Sequence, residues 1–191
     1  MRKLLVATLL LAAPVAAFAH PGHAGHGFGA GFMHPLSGVD HLLAMLAVGL
    51  WAAQSGGRAH WAIPSTFVAV MALGGVLGAA GVGLPMVELG IAGSVAVFGL
   101  LVAFGARLPL GAAMSVTAVL AMCHGYAHGA EMAPGASLMV YGAGFAVATT
   151  MLHGAGLLVG RMGSSRLGGL AIRVAGGATA AVGALLMAGL T

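Results

Sequence analysis

The first long hydrophobic segment of the chain opens with His34-Pro35-Leu36-Ser37-Gly38-Val39-Asp40-His41. An ionisable residue at the head of a membrane helix is energetically costly unless it has a partner or a function. Asp40 and His41 are predicted just inside such a helix. His34 precedes them on an approach that contains proline and glycine and can fold back. We interpret this stretch as the outer half of a metal site.

The amino-acid composition predicts that this segment lies in a lipid membrane. Hydrophobic residues make up 60% of the 191 residues, charged residues make up 5%, and the mean hydropathy is +1.07. Because a soluble domain has about one quarter charged residues, these values predict a polytopic membrane protein. The formal net charge is +4, but its basic residues are scattered and form no clustered basic face. The charge is therefore no sign of nucleic-acid binding.

Residues 1–19 have the three parts of a secretory signal peptide. Arg2 and Lys3 form the positive region, residues 4–15 the apolar core, and Ala17-Phe18-Ala19 an A-x-A cleavage site. We expect the mature chain to begin at His20. An uncleaved signal anchor is the alternative, and both interpretations place residue 20 outside the cytoplasm.

Residues 20–33 form a histidine-rich periplasmic segment ahead of the membrane domain, which we assign to residues 34–191. The segment contains His20, His23 and His26 among glycines. Short histidine-rich tracts are compositional signals of metal binding, so these side chains are candidates for metal capture. A solvated tail whose histidines bind nothing is the alternative.

The rest of the chain is predicted to be an all-α bundle of six transmembrane helices, since about 20 apolar residues cross roughly 30 Å of hydrocarbon. The predicted spans are 37–53, 60–80, 84–105, 109–127, 135–160 and 168–190. The 34 glycines predict close helix packing. All arginines after the signal peptide fall on or near one side, which the positive-inside rule assigns to the cytoplasm. We therefore expect a bacterial inner-membrane protein with both termini in the periplasm.

The fourth predicted span ends in a second group of ligand-type side chains. His124, His128 and Glu131 are four and three residues apart, so a continuous helix projects all three from one face. The fourth span ends on the side where the first begins. Ligand type and topology together bring six candidate metal ligands to one outer mouth: His34, Asp40, His41, His124, His128 and Glu131.

The ligand types limit the metal. Imidazole and carboxylate without thiolate favour borderline divalent ions such as Ni²⁺, Co²⁺ and Zn²⁺, whereas Cu(I) sites use Cys and Met. The one cysteine, Cys123, lies about 100° around the helix from His124 and is left out of the site. The ligand set does not separate nickel from cobalt, and it separates either from zinc only weakly.

Both groups of residues match a family pattern. The chain resembles the HupE/UreJ family of small bacterial nickel/cobalt permeases over essentially its whole length. That family is marked by a histidine, five residues and Asp-His in the first span, met here by His34, Asp40 and His41. Its second mark, His-Gly-x-Ala-His-Gly-x-Glu, is met from His124 to Glu131. The resemblance implies uptake of Ni²⁺, or Co²⁺ in some members, to supply hydrogenase, urease or cobalamin-dependent enzymes.

A transport path also needs an inner station. His153, among apolar neighbours in the fifth predicted span, is the candidate, with a purely structural histidine as the alternative. A membrane potential of 100 mV is worth about 2.3 kcal/mol per charge, so about 4.6 kcal/mol for a divalent ion. That free energy drives accumulation without ATP, and the sequence has no phosphate-binding loop motif.

These features predict a secondary permease or channel-like transporter, not an enzyme. Its expected partners are the lipid bilayer and a divalent transition-metal ion as substrate, with no cofactor, no nucleic acid and no ATPase subunit. Two alternatives stay open. One is a metal-binding membrane sensor or storage protein. The other is an intramembrane zinc hydrolase, in which Ser37 and Glu131 would be catalytic.

Overall fold

The computed structural model describes residues 27–132, 135–163 and 165–189. The predicted signal peptide and the candidate capture residues His20, His23 and His26 lie outside these ranges. Within them the chain forms helices joined by short turns. The helices are α1 (Phe28–Ser37), α2 (Val39–Ser55), α3 (Ala59–Ala79), α4 (Val87–Phe104), α5 (Leu110–Ala130), α6 (Leu138–Met162) and α7 (Arg166–Met187).

Helices α3 to α7 are each long and apolar enough to cross a membrane. Helices α1 and α2 pass the same test only as a pair, and they meet at an angle of 84°. The described residues therefore hold five candidate spans, or six if the bent pair is one span. The predicted all-α membrane bundle is confirmed, and the last five predicted spans agree with α3 to α7 to within three residues at each end.

The bend between α1 and α2 lies at Gly38. Its backbone is extended, with φ −90° and ψ 124°, so the helical path ends on one side of it and restarts on the other. The approach to Asp40 folds back, as expected, but it is itself a helix. Close packing on α6 explains this helix, because a Cβ added at Gly31 would overlap the carbonyl of Tyr141.

Glycine faces also pair the long helices. Helix α3 packs on α5, α4 on α7, and α2 on α6. A Cβ at Gly125 in α5 would overlap the carbonyl oxygen of Met71 in α3. In the same way, a Cβ at Gly49 in α2 would overlap the carbonyl oxygen of His153 in α6. Such close backbone approach gives membrane helices their packing contacts, which confirms the expected role of the glycines.

The two ends of the bundle differ in their polar groups. Helices α2, α4 and α6 begin at the end where the site histidines lie, which we call the histidine end. The opposite end carries the arginines, and Arg173 in α7 donates from Nε to the carbonyl of Ala103 at 2.8 Å. There the indole of buried Trp51 donates to the carbonyl of Ala106 at 2.7 Å. These bonds fix the turn that follows α4.

Candidate metal site

Four histidine rings from three helices meet at the histidine end, and we call them the histidine cluster: His34, His41, His124 and His128. The ring centroids of His34 and His128 are 4.4 Å apart, and those of His128 and His41 are 4.6 Å apart. The His41 and His124 centroids follow at 4.8 Å. The rings thus form a continuous file that leads from α1 through α5 and α2 to the interior.

Burial increases along this file. His34 is only partly buried, whereas His128 is 9% exposed and His41 is 6% exposed. The His124 ring has no exposed surface. Burying a polar side chain away from water costs free energy unless its polar atoms form hydrogen bonds. The hydrogen-bond partners of each ring nitrogen therefore show which nitrogens remain available to bind a metal.

A carboxylate sets the protonation of the central ring. Oδ1 of Asp40 lies 2.7 Å from Nδ1 of His41 and accepts the His41 backbone N–H at 2.7 Å. A carboxylate only accepts hydrogen bonds, so Nδ1 of His41 carries a proton. In the neutral imidazole the Nε2 atom of His41 then holds a free electron pair.

That electron pair faces a second histidine. Nε2 of His128 lies 2.7 Å from Nε2 of His41, so with His41 neutral the His128 nitrogen is the donor. The remaining nitrogen, Nδ1 of His128, is buried and has no hydrogen-bond partner among the described residues. With His41 neutral, the hydrogen bonds from Asp40 through His41 thus leave Nδ1 of His128 unprotonated and without a partner among the described residues.

The cluster is not arranged around a common point. Two ligands of one tetrahedral metal at 2.0–2.1 Å are about 3.3 Å apart, whereas the two Nε2 atoms are bonded to each other at 2.7 Å. In 27–132, 135–163 and 165–189, no group of three or more His, Cys, Asp or Glu has geometry that would hold a metal. A metal that uses Nε2 of His41 must first break the hydrogen bond to His128.

The last predicted ligand, Glu131, is exposed at the end of α5. Glu131 directly follows α5, is exposed, and its backbone N–H bonds the carbonyl of Ala127 at 2.9 Å. Among the described residues, the one salt-bridge geometry joins His41 and Asp40, so the Glu131 carboxylate has no such partner there. Five of the six predicted ligands thus lie in or directly against the histidine cluster, and Glu131 is exposed where α5 ends.

His153 lies one aromatic ring deeper than the cluster. The ring of Phe67 is 5.5 Å from that of His124 and 5.0 Å from that of His153. His153 is 2% exposed, and neither of its ring nitrogens has a hydrogen-bond partner in the described part of the chain. The file of rings thus continues from the cluster to a second buried imidazole.

Two residues of this region were missed from the sequence. Phe67 contacts both His124 and His153, and an aromatic residue in an apolar span carries no ligand signal. Buried Ser94 in α4 lies with Oγ 2.7 Å from Nε2 of His124. The signal that identifies Ser94 is its hydroxyl, the one such group in α4.

The side chains of Ser37 and Cys123 lie near the site in sequence but make contacts outside the histidine cluster. The exposed hydroxyl of Ser37 donates to the carbonyl of His34 at 2.8 Å, as a helix-end bond. The thiol of Cys123 faces α4, because a Cβ at Gly90 would overlap its sulfur. Neither contact joins these residues to the row of imidazole rings.

Comparison with known proteins agrees with the sequence motifs. A family model described as HupE / UreJ protein matches residues 7–186. Protein HupE of Rhizobium leguminosarum bv. viciae is 46% identical over 187 residues, which cover 98% of each chain. No solved structure gives a significant match. The chain therefore belongs to the HupE/UreJ family.

Proposed function

We propose that the protein is a permease that takes up Ni²⁺, or Co²⁺, across the bacterial inner membrane through the histidine cluster. The observation that carries this proposal is the convergence of four imidazoles and one carboxylate, from three helices, at one end of a membrane bundle. Membership of the HupE/UreJ family supports a general role in nickel or cobalt transport.

The first step is the exchange of water for protein ligands. A hydrated ion meets the exposed carboxylate of Glu131 and the partly buried ring of His34. It then displaces the hydrogen bond between His41 and His128, which frees Nε2 of His41 as a ligand. Asp40 offsets part of the ion's charge and keeps the proton on Nδ1 of His41, as outer partners of metal-binding histidines do.

The second step carries the ion inward past Phe67. Neither ring nitrogen of His153 has a hydrogen-bond partner among the described residues, so its unprotonated nitrogen is available, and we assign it as the inner station. A membrane potential of 100 mV supplies about 4.6 kcal/mol for a divalent ion, which drives this movement without ATP. His153 is separated from His124 by a single ring, so the ion need not cross a long apolar gap.

The orientation follows from the two ends of the bundle. We place the histidine end in the periplasm, since the opposite end carries the arginines that favour the cytoplasm. In this orientation a cleaved chain presents His20, His23 and His26 on the side from which the ion arrives. The protein acts on the ion by binding and release, so we assign it no enzymatic activity.

The test is uptake of ⁶³Ni²⁺ into proteoliposomes by the wild type, His128→Ala and His60→Ala. His60 begins the arginine end of α3, so His60→Ala is the matched control for loss of an imidazole. We expect uptake by the wild type and the control, loss of most uptake in His128→Ala, and competition by Co²⁺ but not by Mg²⁺. Tight Ni²⁺ binding without uptake by the wild type would favour the sensor or storage alternative.

A further inference from the structure

A buried hydroxyl contacts the deepest ring of the histidine cluster from outside the predicted ligand set. Ser94 and His124 are both fully buried, on α4 and α5. Ser94 Oγ lies 2.7 Å from His124 Nε2 and also 2.7 Å from the carbonyl oxygen of Ile91. No solvent reaches either side chain, so these contacts decide where their protons lie.

The proton positions follow from the number of hydrogens available. A serine hydroxyl has one proton to donate, and the Ile91 carbonyl can only accept it. With that proton donated to Ile91, the Ser94 oxygen accepts from His124, which places a proton on Nε2 of that ring. In the neutral imidazole Nδ1 is then unprotonated, and this atom is buried with no hydrogen-bond partner among the described residues.

We infer that Ser94 is a positioning residue that fixes His124 as the Nε2–H tautomer and so presents Nδ1 as its metal-binding atom. The metal-binding part rests on the proposed function. Hydrogen bonds to the second nitrogen of a ligating histidine fix both its tautomer and its ring orientation. Here that orientation is nearly perpendicular to the neighbouring ring, with an angle of 88° between the planes of His124 and His41.

The inference also explains why both histidines of α5 behave alike. With His41 neutral, His128 donates from Nε2 to His41, and by this inference His124 donates from Nε2 to Ser94. Nδ1 is then the unprotonated nitrogen of both rings, and in both it has no hydrogen-bond partner among the described residues. His128 obtains this state from a group within the cluster, whereas His124 obtains it from Ser94. Ser94 therefore accepts the Nε2 proton of His124 in a hydrogen bond, as the His41 ring of the Asp40–His41 pair does for His128.

The first measurement is ¹⁵N solid-state NMR of the imidazoles in liposomes without metal, with the His124 signals assigned by their loss in His124→Asn. The variants are Ser94→Ala, Ser94→Thr and Thr117→Val. Thr117 is the matched control because it is also buried and donates to a carbonyl of its own helix, that of Ala113 at 2.8 Å. We expect a protonated Nε2 in the wild type, Ser94→Thr and the control, and a mixture of tautomers in Ser94→Ala.

The second measurement is the KM for ⁶³Ni²⁺ uptake by the same proteins. We expect Ser94→Ala to raise KM about 10- to 100-fold, the usual effect of losing an outer-shell partner. Ser94→Thr should restore most of this loss, and Thr117→Val should match the wild type. A general packing defect would lower the maximal rate or the yield of folded protein without changing the tautomer.

The outcomes separate this inference from the proposed function. A wild-type His124 protonated at Nδ1, or a tautomer and KM unchanged in Ser94→Ala, overturns the role of Ser94 even if nickel is transported. A tautomer that depends on Ser94 in a protein that neither binds nor transports nickel supports the positioning role and overturns its metal-binding purpose, together with the proposed function.

Discussion

The Nε2 atoms of His41 and His128 lie 2.7 Å apart, although 87 residues separate them along the chain. This bond joins α2 to α5 at the histidine end. It also occupies the electron pair that His41 would offer to a metal. The resting contact between the helices and the binding of the ion therefore compete for one atom.

Because they act as a unit, His41 and His128 should give non-additive losses of uptake. We expect His41→Ala and His128→Ala each to abolish most ⁶³Ni²⁺ uptake, and the double variant to be hardly worse than either. Uptake rates at low nickel concentration are compared for the single and double variants, and the coupling is the difference between the double loss and the sum of the single losses. Adding His60→Ala to either variant should cause no further loss of uptake beyond its own small effect. Losses in the double variant equal to the sum of the His41 and His128 losses would contradict the shared role.

The charge of Asp40 can be separated from its hydrogen bond. Asp40→Asn keeps an oxygen that accepts from Nδ1 of His41 but removes the negative charge beside the ion. We expect the KM for nickel to rise about tenfold or more in Asp40→Asn, and further in Asp40→Ala. Ser37→Ala is the control, since its exposed hydroxyl bonds only a backbone carbonyl. An equally large rise of KM in Ser37→Ala would contradict a specific role for the Asp40 charge.

His153 should have opposite effects on stability and transport. A buried polar group without partners costs about 1–3 kcal/mol, so His153→Leu should raise the thermal unfolding temperature. If His153 is the inner station, the same change should lower maximal ⁶³Ni²⁺ uptake while equilibrium nickel binding at the cluster is kept. Met151→Leu, on the exposed side of α6, is the control. Full uptake by His153→Leu would make His153 a structural residue.

Two neighbouring glycines of α7 should respond differently to alanine. A Cβ at Gly176 would meet the backbone nitrogen of Ala103 at 2.6 Å, whereas one at Gly177 meets nothing within 4 Å. We expect Gly176→Ala to lower the free energy of unfolding by about 1–3 kcal/mol. Gly177→Ala should be neutral or slightly stabilising, because alanine favours helix. Thermal unfolding in detergent measures both, and equal effects would contradict the packing of α7 on α4.

The two tryptophans provide a similar pair. Trp51→Phe keeps an aromatic ring but leaves the carbonyl of Ala106 without its donor, at a cost of about 1–3 kcal/mol. Trp61 is 65% exposed, so Trp61→Phe should leave the unfolding temperature nearly unchanged. Chemical unfolding followed by circular dichroism makes the comparison, and a more harmful change at Trp61 would be unexpected.

The long helices, and the fact that the predicted ligands lie at one end of the bundle, could be predicted because each follows from a simple sequence pattern. Long apolar runs define α3 to α7, and alternation of their directions places His41 and His128 at one end. Helix α1 was missed, since Gly29 and Gly31 argue against a helix when read alone. In the folded chain Gly31 is what allows α1 to lie on α6, so a contact made elsewhere overrides the local preference.

The partners of the histidines could not be predicted for a different reason. Ser94 is 30 residues from His124, and no spacing rule connects a serine on one helix with an imidazole on another. The exposed position of Glu131 was also not foreseen, because the prediction assumed a continuous helix and α5 ends just before it. Helical periodicity predicts the direction in which a side chain projects, whereas the residue at which a helix ends depends on the turn that follows.

The glycine that follows each histidine of α5 limits how the protein can open. Gly125 lies against the carbonyl of Met71, and Gly129 against that of Gly75, while the preceding histidines point about 100° away around the helix. Helix α5 cannot turn about its axis without separating from α3. We therefore expect α3 and α5 to move as one unit in any opening of the bundle.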